Sequence, residues 1–316
     1  MKHDLDIPQI VVDRALTAGA DGEKWLSELP NVISVLEEKW QITVETTLSG
    51  GTQAIVAYAA GIDGKQYVLK VDMPGTIGHP DFMQAVKMLL LADGQGYVKL
   101  FAYDKEKRAC LLERMGKPLK DFPYSVSEQL EIICTVLKKA WGIPVVDSFP
   151  KTDGDESISW FRQFIRPKWE ELLRPCSEAV IEQAYRFLTS REVHKNPKEY
   201  VLLHGDAHNT NILEDLSAPN SFKLIDPDGL FYEKAYDLGV LMREWREEYC
   251  QDPVKKGRER CEYLHRLTGV DAQAIFEWGF LQCVSTGLLF WKMNQAVGKE
   301  LLDFAQIWLG IDDFNL

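Results

Sequence analysis

The spacing of hydrophobic positions in the first third of the chain predicts strands. Apolar runs cover residues 55–60 and 66–71, and the turn Gly61-Ile62-Asp63-Gly64 separates them. An Asp-Gly pair between two apolar runs is a strong hairpin signal. Because side chains alternate along a strand, the second run has two faces: Tyr67, Leu69 and Val71 lie on one, Val68 and Lys70 on the other.

Further elements complete a small, sheet-rich lobe. A strand is predicted over residues 42–48 before the hairpin, and a helix over 81–92 after it. Two more strands are predicted over 98–103 and 109–112. The character of the sequence changes after Met115, so the first lobe is assigned to residues 1–115.

Helical spacing dominates residues 116–316. Ser125 and Glu128 form a capping box, which opens a helix whose apolar positions share one face. More helices are predicted around residues 180–188 and over 232–249, 256–267 and 271–293. Short strand-like segments lie between them at 200–203 and 222–225. The chain is therefore predicted to have an α+β fold, with a small antiparallel-sheet lobe followed by a larger, mostly helical lobe.

Charge narrows the range of partners. The formal net charge is −12 at pH 7, and an acidic surface repels nucleic-acid phosphates. We therefore expect no nucleic-acid partner. The same charge attracts cations and would steer a polyamine-like small molecule toward the protein, although acidity can also serve solubility alone.

The hydropathy of the sequence does not indicate a membrane protein. The N-terminus is charged and lacks an apolar run behind it, so no signal peptide is expected. The most apolar stretch, 274–293, is interrupted by polar residues and fits a buried helix. The six cysteines form no Cys-x-x-Cys pair, which is typical of reduced core residues. We expect a cytoplasmic protein without a membrane partner, and the sequence does not indicate its oligomeric state.

The sharpest chemical signal is a pair of apolar segments, each followed by carboxylates. His204-Gly205-Asp206 follows the first segment, Asn211 comes five residues after Asp206, and Asp226 follows the second segment. Phosphoryl transfer needs a carboxylate for the acceptor hydroxyl, oxygen ligands for Mg²⁺ and a cation for the phosphates. Asp206, Asn211, Asp226 and Lys70 supply these groups. The offset between Asp206 and Asn211 equals that of the kinase catalytic loop.

These motifs carry a family resemblance. The pattern H-G-D-x-x-x-x-N, followed by I-D-P-x-G and then A-Y-D-L, resembles the aminoglycoside phosphotransferase family over about residues 40–295. The segment 224–243 looks most like its streptomycin 6-kinase and hydroxyurea kinase branch. The resemblance implies a protein-kinase-like bilobal fold that binds ATP and Mg²⁺. It also implies transfer of phosphate to a hydroxyl of a small molecule, in first place a streptomycin-type aminoglycoside, with antibiotic resistance as the result.

The resemblance also implies residue roles in the helical lobe, taken as the catalytic and acceptor-binding lobe. Asp206 would be the catalytic base, and Asn211 and Asp226 would bind Mg²⁺. Asp237 would be a structural carboxylate beside the catalytic loop. His204 is expected to anchor that loop, in preference to a zinc site shared with His208.

The first lobe would bind the nucleotide. Lys70 would contact the ATP phosphates and Val68 would cover the adenine. Gly50 and Gly51 would let a loop backbone approach the phosphates. Glu113 to Met115 would form the hinge whose backbone pairs with adenine. The sequence of the hinge does not distinguish ATP from GTP.

One position departs from the family pattern. The helix after Lys70 should offer a glutamate to pair with it, but Gln84 and Lys87 stand at the candidate positions. Either Asp81 pairs with Lys70, or the lysine is held in another way.

Three alternatives stay open beside the aminoglycoside kinase. The acceptor could be another small metabolite, and the missing glutamate allows a nucleotide-binding relative without activity. Gly205-Asp206-Ala207-His208 also resembles the G-D-x-H loop of metal-dependent phosphoesterases, but the other loops of that class are missing. The acidic run Glu244, Glu247 and Glu248 is either a solvated helix face or the lining of a cationic acceptor site.

Overall fold

A computed structural model of the chain describes residues 6–49, 51, 53–74, 82–145 and 154–311, with only the backbone of 154–156. The chain divides into two compact units. The first comprises Met1–Lys117 and Leu213–Asp228, and the second Pro118–Ile212 and Gly229–Leu316. The first unit thus extends two residues past the predicted boundary at Met115 and also takes in a later segment. The assignment of nucleotide binding to one lobe and catalysis to the other stays a prediction.

The first unit is built on a five-stranded antiparallel sheet with the order β1-β2-β3-β5-β4. Its helices and strands are α1 (Gln9–Thr17), α2 (Ala20–Trp40), β1 (Ile42–Thr47), β2 (Ala54–Gly61), β3 (Gln66–Asp72), α3 (Phe82–Ala92), β4 (Leu100–Asp104) and β5 (Ala109–Glu113). The predicted hairpin is confirmed as β2–β3, in which Tyr58 lies opposite Val68. The sequence patterns did not predict α1 and α2.

Strand β3 has one face buried in the core of this unit, and Val68 and Lys70 on its other face are half-buried. Leu69 and Val71 are buried against Leu29, Ile33 and Leu36 of α2. The three α2 residues repeat at helical spacing, so one side of the helix covers the sheet. The alternation predicted for this strand is confirmed, because Tyr67, Leu69 and Val71 are buried while Val68 and Lys70 are only half-buried.

The rest of the chain is mainly helical. Its elements are α4 (Val126–Trp141), α5 (Gly154–Glu171), α6 (Glu178–Val193), β6 (Val201–Leu203), β7 (Ile212–Glu214), β8 (Phe222–Leu224), β9 (Leu230–Tyr232), α7 (Ala235–Met242), α8 (Pro253–Thr268), α9 (Ala272–Phe290) and α10 (Gln295–Trp308). Strand β6 pairs with β9, and β7 pairs with β8. The predicted capping box of Ser125 and Glu128 is present at the start of α4.

The helix predicted over 232–249 was too long. Helix α7 ends at Met242, and a short 3-10 helix covers Arg246–Tyr249. Trp245 between them has φ 49°, a left-handed conformation that a continuous right-handed helix does not allow. The carbonyl groups of Leu241 and Met242 at the end of α7 accept hydrogen bonds from Nη1 of Arg260 (3.2 Å) and the hydroxyl of Tyr249 (2.9 Å).

Helix α9 forms the centre of the second unit. Most of its residues are buried, including Phe276, Trp278 and Phe280, which agrees with the buried helix predicted in the apolar stretch 274–293. It packs closely on α7, because a Cβ on Gly239 would lie 2.7 Å from the Cβ of Trp278. Among the described residues no helix is long and apolar enough to cross a membrane.

Candidate active site

The loop after β6 folds back on itself around Asp206. The backbone carbonyl of Asp206 accepts hydrogen bonds from the His208 N–H (2.9 Å) and from Nδ2 of Asn211 (3.0 Å). The N–H of Asn211 donates to the His208 carbonyl at 2.9 Å. Gly205 has φ 91°, a conformation that glycine adopts without strain. The loop therefore brings together Asp206 and Asn211, which the sequence predicted to act in one site.

Asp237 holds this loop from inside the second unit. Its buried carboxylate accepts hydrogen bonds from the N–H groups of Gly205 (2.7 Å) and His204 (3.2 Å) and from Nε1 of Trp141 (2.9 Å). Burial raises the pKa of Asp237, although the hydrogen bonds and the nearby His204 oppose that shift. These contacts are those of a structural carboxylate.

His204 supports the loop from the other side. It is fully buried, and its Nδ1 accepts a hydrogen bond from the N–H of Asp206 at 3.1 Å. This contact fixes the direction in which the chain leaves the strand. The geometry agrees with a loop-anchoring histidine.

Arg243 is a partner of Asp206 that the sequence analysis missed. Its Nη2 donates to Oδ1 of Asp206, and its Nη1 donates to Oε1 of Gln282 (3.0 Å) and Oγ1 of Thr286 (2.9 Å) on α9. Nε2 of His208 lies 3.4 Å from Oδ2 of Asp206. An arginine directly after an otherwise apolar helix was the signal available in the sequence, because such a charge needs a buried partner.

These neighbours control the protonation of Asp206. Burial by itself would raise the pKa of Asp206, but Arg243 lowers it more, and His208 and His204 act in the same direction. The net result is a pKa well below the ordinary range of aspartate. Asp206 is therefore ionised near neutral pH, and its carboxylate has low basicity.

Lys70 lies between two carboxylates of the first unit. Its Nζ forms ion pairs with Oδ1 of Asp226 and, at 3.1 Å, with Oδ1 of Asp72. Burial would lower the pKa of Lys70, but Asp226 and Asp72 raise it above the ordinary value. The structure thus joins the predicted phosphate-binding lysine to one predicted metal ligand and to a neighbour that the sequence analysis did not consider. Asp81 lies outside the described residues, and Gln84 and Lys87 lie on α3.

Asp226, two residues after the end of β8, has an unusual backbone conformation. Its φ is 59°, which is uncommon for a residue with a side chain, and such strain concentrates at functional sites. The strand before it is anchored, because the N–H of Leu224 donates to Gly96 and its carbonyl accepts from Val98, both at 2.9 Å. The backbone on which the Asp226 carboxylate stands is therefore held in place by the neighbouring segment 96–98.

Two more predicted nucleotide residues, Val68 and Gly51, lie in or next to the β2–β3 hairpin. Val68 is on the same face of the strand as Lys70. Gly51 precedes β2, and a Cβ there would lie 2.7 Å from the Ala54 carbonyl oxygen, so only glycine fits this close approach. Gly50 lies outside the described residues.

The predicted hinge is held by a second group of charges. The Glu113 N–H donates to the Lys99 carbonyl at 2.9 Å, and its carboxylate accepts two bonds from Nζ of Lys223, at 2.9 and 2.8 Å. The Gly116 N–H donates to the Glu214 carbonyl at 2.8 Å, and Met115 is buried. Because the Glu113 N–H and carboxylate are already bonded, an adenine contact at this residue would use its carbonyl oxygen.

Comparison with known proteins agrees with this chemistry. Residues 39–293 match the family model described as aminoglycoside/hydroxyurea antibiotic resistance kinase. Streptomycin 6-kinase of Streptomyces glaucescens is 23% identical over 316 aligned residues, which cover 96% of each chain.

Solved structures show the same fold. Choline kinase LicA from Streptococcus pneumoniae has 18% sequence identity and a TM-score of 0.61, covering 88% of this chain and 99% of its own. Amicoumacin kinase hAmiN, solved in complex with AMP-PNP, Ca²⁺ and Ami, has 13% identity and a TM-score of 0.57, covering 90% of this chain and 98% of its own. The expected kinase-like fold, with an antiparallel-sheet lobe and a mostly helical remainder, is confirmed.

Proposed function

Because the chain belongs to the aminoglycoside/hydroxyurea antibiotic resistance kinase family, and is thus an ATP-dependent phosphotransferase acting on hydroxyl groups, we propose that its acceptor is a streptomycin-type aminoglycoside. The similarity to a streptomycin 6-kinase along nearly the whole of both chains supports this choice. Phosphorylation of the antibiotic would confer resistance. The net charge of −12 supports a cationic acceptor.

The observation that carries the proposal is the environment of Asp206. A carboxylate kept ionised by Arg243 can accept a hydrogen bond from an acceptor hydroxyl and fix the direction of its attack. Phosphoryl transfer passes through a loose transition state that needs little early removal of the proton. A weakly basic carboxylate is therefore sufficient: the bond from the γ-phosphorus of ATP to its bridging oxygen would break, ADP would leave, and Asp206 would take the hydroxyl proton as the new O–P bond forms.

The divalent cation would be held by Asn211 and Asp226, and we propose that it is Mg²⁺. Asp226 supplies carboxylate oxygens, which a hard cation prefers. Nδ2 of Asn211 is bonded to the Asp206 carbonyl, so its Oδ1 is the atom turned away from that contact. Each residue thus offers an oxygen donor of the kind that such an ion prefers, and the ion would neutralise charge on the phosphates when bound.

The nucleotide would be bound by the first unit. Lys70 would contact the ATP phosphates, Val68 would cover the adenine, and the backbone at Gly50 and Gly51 would approach the phosphates. The hinge backbone from Glu113 to Met115 would pair with the adenine edge. A cytoplasmic location of the enzyme stays a prediction from the sequence.

The alternatives to a streptomycin-type acceptor are not equally supported. A different small-molecule hydroxyl remains the main one, because the family model itself spans aminoglycoside and hydroxyurea kinases. A metal-dependent phosphoesterase is not supported, because the family model that matches residues 39–293 describes kinases.

The test is ADP release from Mg-ATP with a panel of cationic antibiotics headed by streptomycin. Release that depends on streptomycin and is lost in Asp206→Asn would support the proposal, and NMR of the product would identify the phosphorylated hydroxyl. ADP release with a different acceptor would replace the substrate and keep the kinase. If Mg-ATP binds but no acceptor of the panel causes release, either the acceptor is another small metabolite or the chain is a nucleotide-binding relative without transfer activity.

A further inference from the structure

We propose that Asp72 is the positioning residue that holds Lys70 for the nucleotide phosphates, in place of the acidic residue expected on the following helix. This inference rests on the proposed role of Lys70 in ATP binding. It assigns the task to a residue of the same strand.

The position of Asp72 in β3 supports this role. Residues two apart in a strand lie on one face, so Lys70 and Asp72 point to the same side of the sheet. The distance between Nζ and Oδ1 is 3.1 Å, and Asp72 is only 4% exposed. A carboxylate buried to this extent needs a cationic partner, because an isolated charge is costly away from water.

The backbone of Asp72 is also fixed. Its N–H donates to the Arg108 carbonyl at 2.9 Å, and it lies opposite Ala54 of β2. Lys70 lies between Val56 of β2 and Cys110 of β5 in the same sheet. Both partners of the ion pair thus belong to one hydrogen-bonded sheet. The spacing of their backbones cannot change unless hydrogen bonds between the strands break.

Helix α3 offers apolar groups to this region. Its sequence, Phe82 to Ala92, contains no aspartate or glutamate. Phe82, Val86 and Leu89 line a cavity of about 30 Å³ together with Lys70 and Asp72. In protein kinases the corresponding lysine pairs with a glutamate of the helix, so movement of that helix can switch the pair. Here the pair would stay formed when α3 moves.

The second carboxylate on Lys70 explains why Asp72 is needed. Asp226 is a proposed metal ligand, so a bound divalent cation would compete with Lys70 for its oxygens. Asp72 is buried and would keep its contact with the lysine during that exchange. Without Asp72, Lys70 would pair with Asp226 alone. The lysine would then compete with the cation for the Asp226 oxygens, and Asp226 would compete with the phosphates for the lysine.

The experiment measures binding of Mg-ATP by isothermal titration calorimetry, without any acceptor. The variants are Lys70→Met, Asp72→Asn and the double variant. The control is Asp63→Asn, which changes an exposed carboxylate in the β2–β3 turn of the same sheet. Thermal unfolding of every variant is measured first. If Asp72→Asn does not fold, Asp72→Ser takes its place in the cycle.

Asp72→Asn is expected to weaken Mg-ATP binding by about tenfold and to raise the Mg²⁺ concentration needed for half-saturation. Asp72→Glu keeps the charge, and the adjacent cavity has room for the added methylene, so it should bind better than Asp72→Asn. The double variant should bind about as weakly as Lys70→Met alone, because Asp72 acts through the lysine. The control should stay within about twofold of the unmodified protein.

Two results would overturn the inference. One is binding of Mg-ATP by folded Asp72→Asn as tight as that of the Asp63→Asn control. The other is a double variant in which the two losses simply add. If the unmodified protein binds no Mg-ATP, the proposed nucleotide site itself has failed, and the inference fails with it. The binding of the unmodified protein thus separates the two kinds of failure.

Discussion

The guanidinium of Arg243 holds the carboxylate of Asp206 from the end of α7. Two side chains of α9, Gln282 and Thr286, hold the guanidinium in turn. The carboxylate therefore has a fixed direction set by the helical core. The rotamer of the Asp206 side chain is thus held by protein contacts.

Replacing Arg243 by Met should change both the rate and its pH dependence. Asp206 would lose the charge that most strongly lowers its pKa, while His204 and His208 would remain near its carboxylate. Two further carboxylates face this group, Asp237 at the N–H of His204 and Glu244 beside Arg243. A lowered pKa keeps the carboxylate ionised down to acidic pH. Removal of Arg243 raises the pKa of Asp206, so the acidic limb of the kcat/KM profile moves to higher pH. We expect kcat to fall by about 10- to 100-fold. The measurement is kcat/KM for ADP release across the pH range in which the protein stays folded.

A partial variant provides the control for that experiment. Thr286→Val removes one of the two anchors of Arg243 and leaves the Asp206 ion pair in place. We expect a smaller loss of kcat and an acidic limb close to that of the unmodified protein. An equal shift of the limb in Thr286→Val and Arg243→Met would contradict the assignment to the charge of Arg243.

Asp206→Asn should lower kcat by about 10²- to 10⁴-fold, the usual contribution of a positioned acid–base group. The affinity for Mg-ATP should change little, because the proposed phosphate contact is Lys70. Steady-state ADP release and calorimetric nucleotide binding measure the two quantities separately. Asp303→Asn, which alters an exposed pair with Lys299, is the matched control. Turnover of Asp206→Asn close to that of this control would remove Asp206 from the catalytic role.

Asp237→Asn should destabilise the protein and slow catalysis at the same time. Three N–H donors converge on the Asp237 carboxylate, and the amide of asparagine would turn an NH₂ group toward at least one of them. A buried donor without an acceptor costs about 1–3 kcal/mol. Urea unfolding measures the loss, and kcat measured well below the unfolding transition shows whether the loop has moved. Unchanged stability would mean that the loop is held by other contacts.

Glu277→Leu should destabilise the protein more strongly than a change in a surface pair. Glu277 is 4% exposed, and its carboxylate pairs with Arg191 and accepts a hydrogen bond from Ser190. Removing one partner leaves a buried guanidinium short of its charge partner, which costs about 3–5 kcal/mol. The free energy of unfolding is compared with that of Asp303→Asn, which should be nearly unchanged. A small effect at Glu277 would show that Glu233, the other carboxylate beside Arg191, is sufficient.

Local patterns in the sequence determined much of the architecture and the chemistry. The period of two in β3 identified its faces, and the capping box of Ser125 and Glu128 identified the start of α4. The spacing of Asp206 and Asn211 predicted that the two residues share one loop, in which they are hydrogen-bonded. In each case the interacting groups lie within a few residues, so the geometry of one strand, helix or turn is enough to relate them.

Only the tertiary structure decided which distant groups meet. Asp206 is 37 residues from Arg243, and Lys70 is 156 residues from Asp226. No periodicity relates positions that far apart, because their approach depends on how whole helices and strands pack. The end of α7 was also beyond the pattern, since the left-handed Trp245 interrupts an apolar spacing that continues through it. The sequence thus determined which groups are candidates for the reaction, and packing decided which charges surround them.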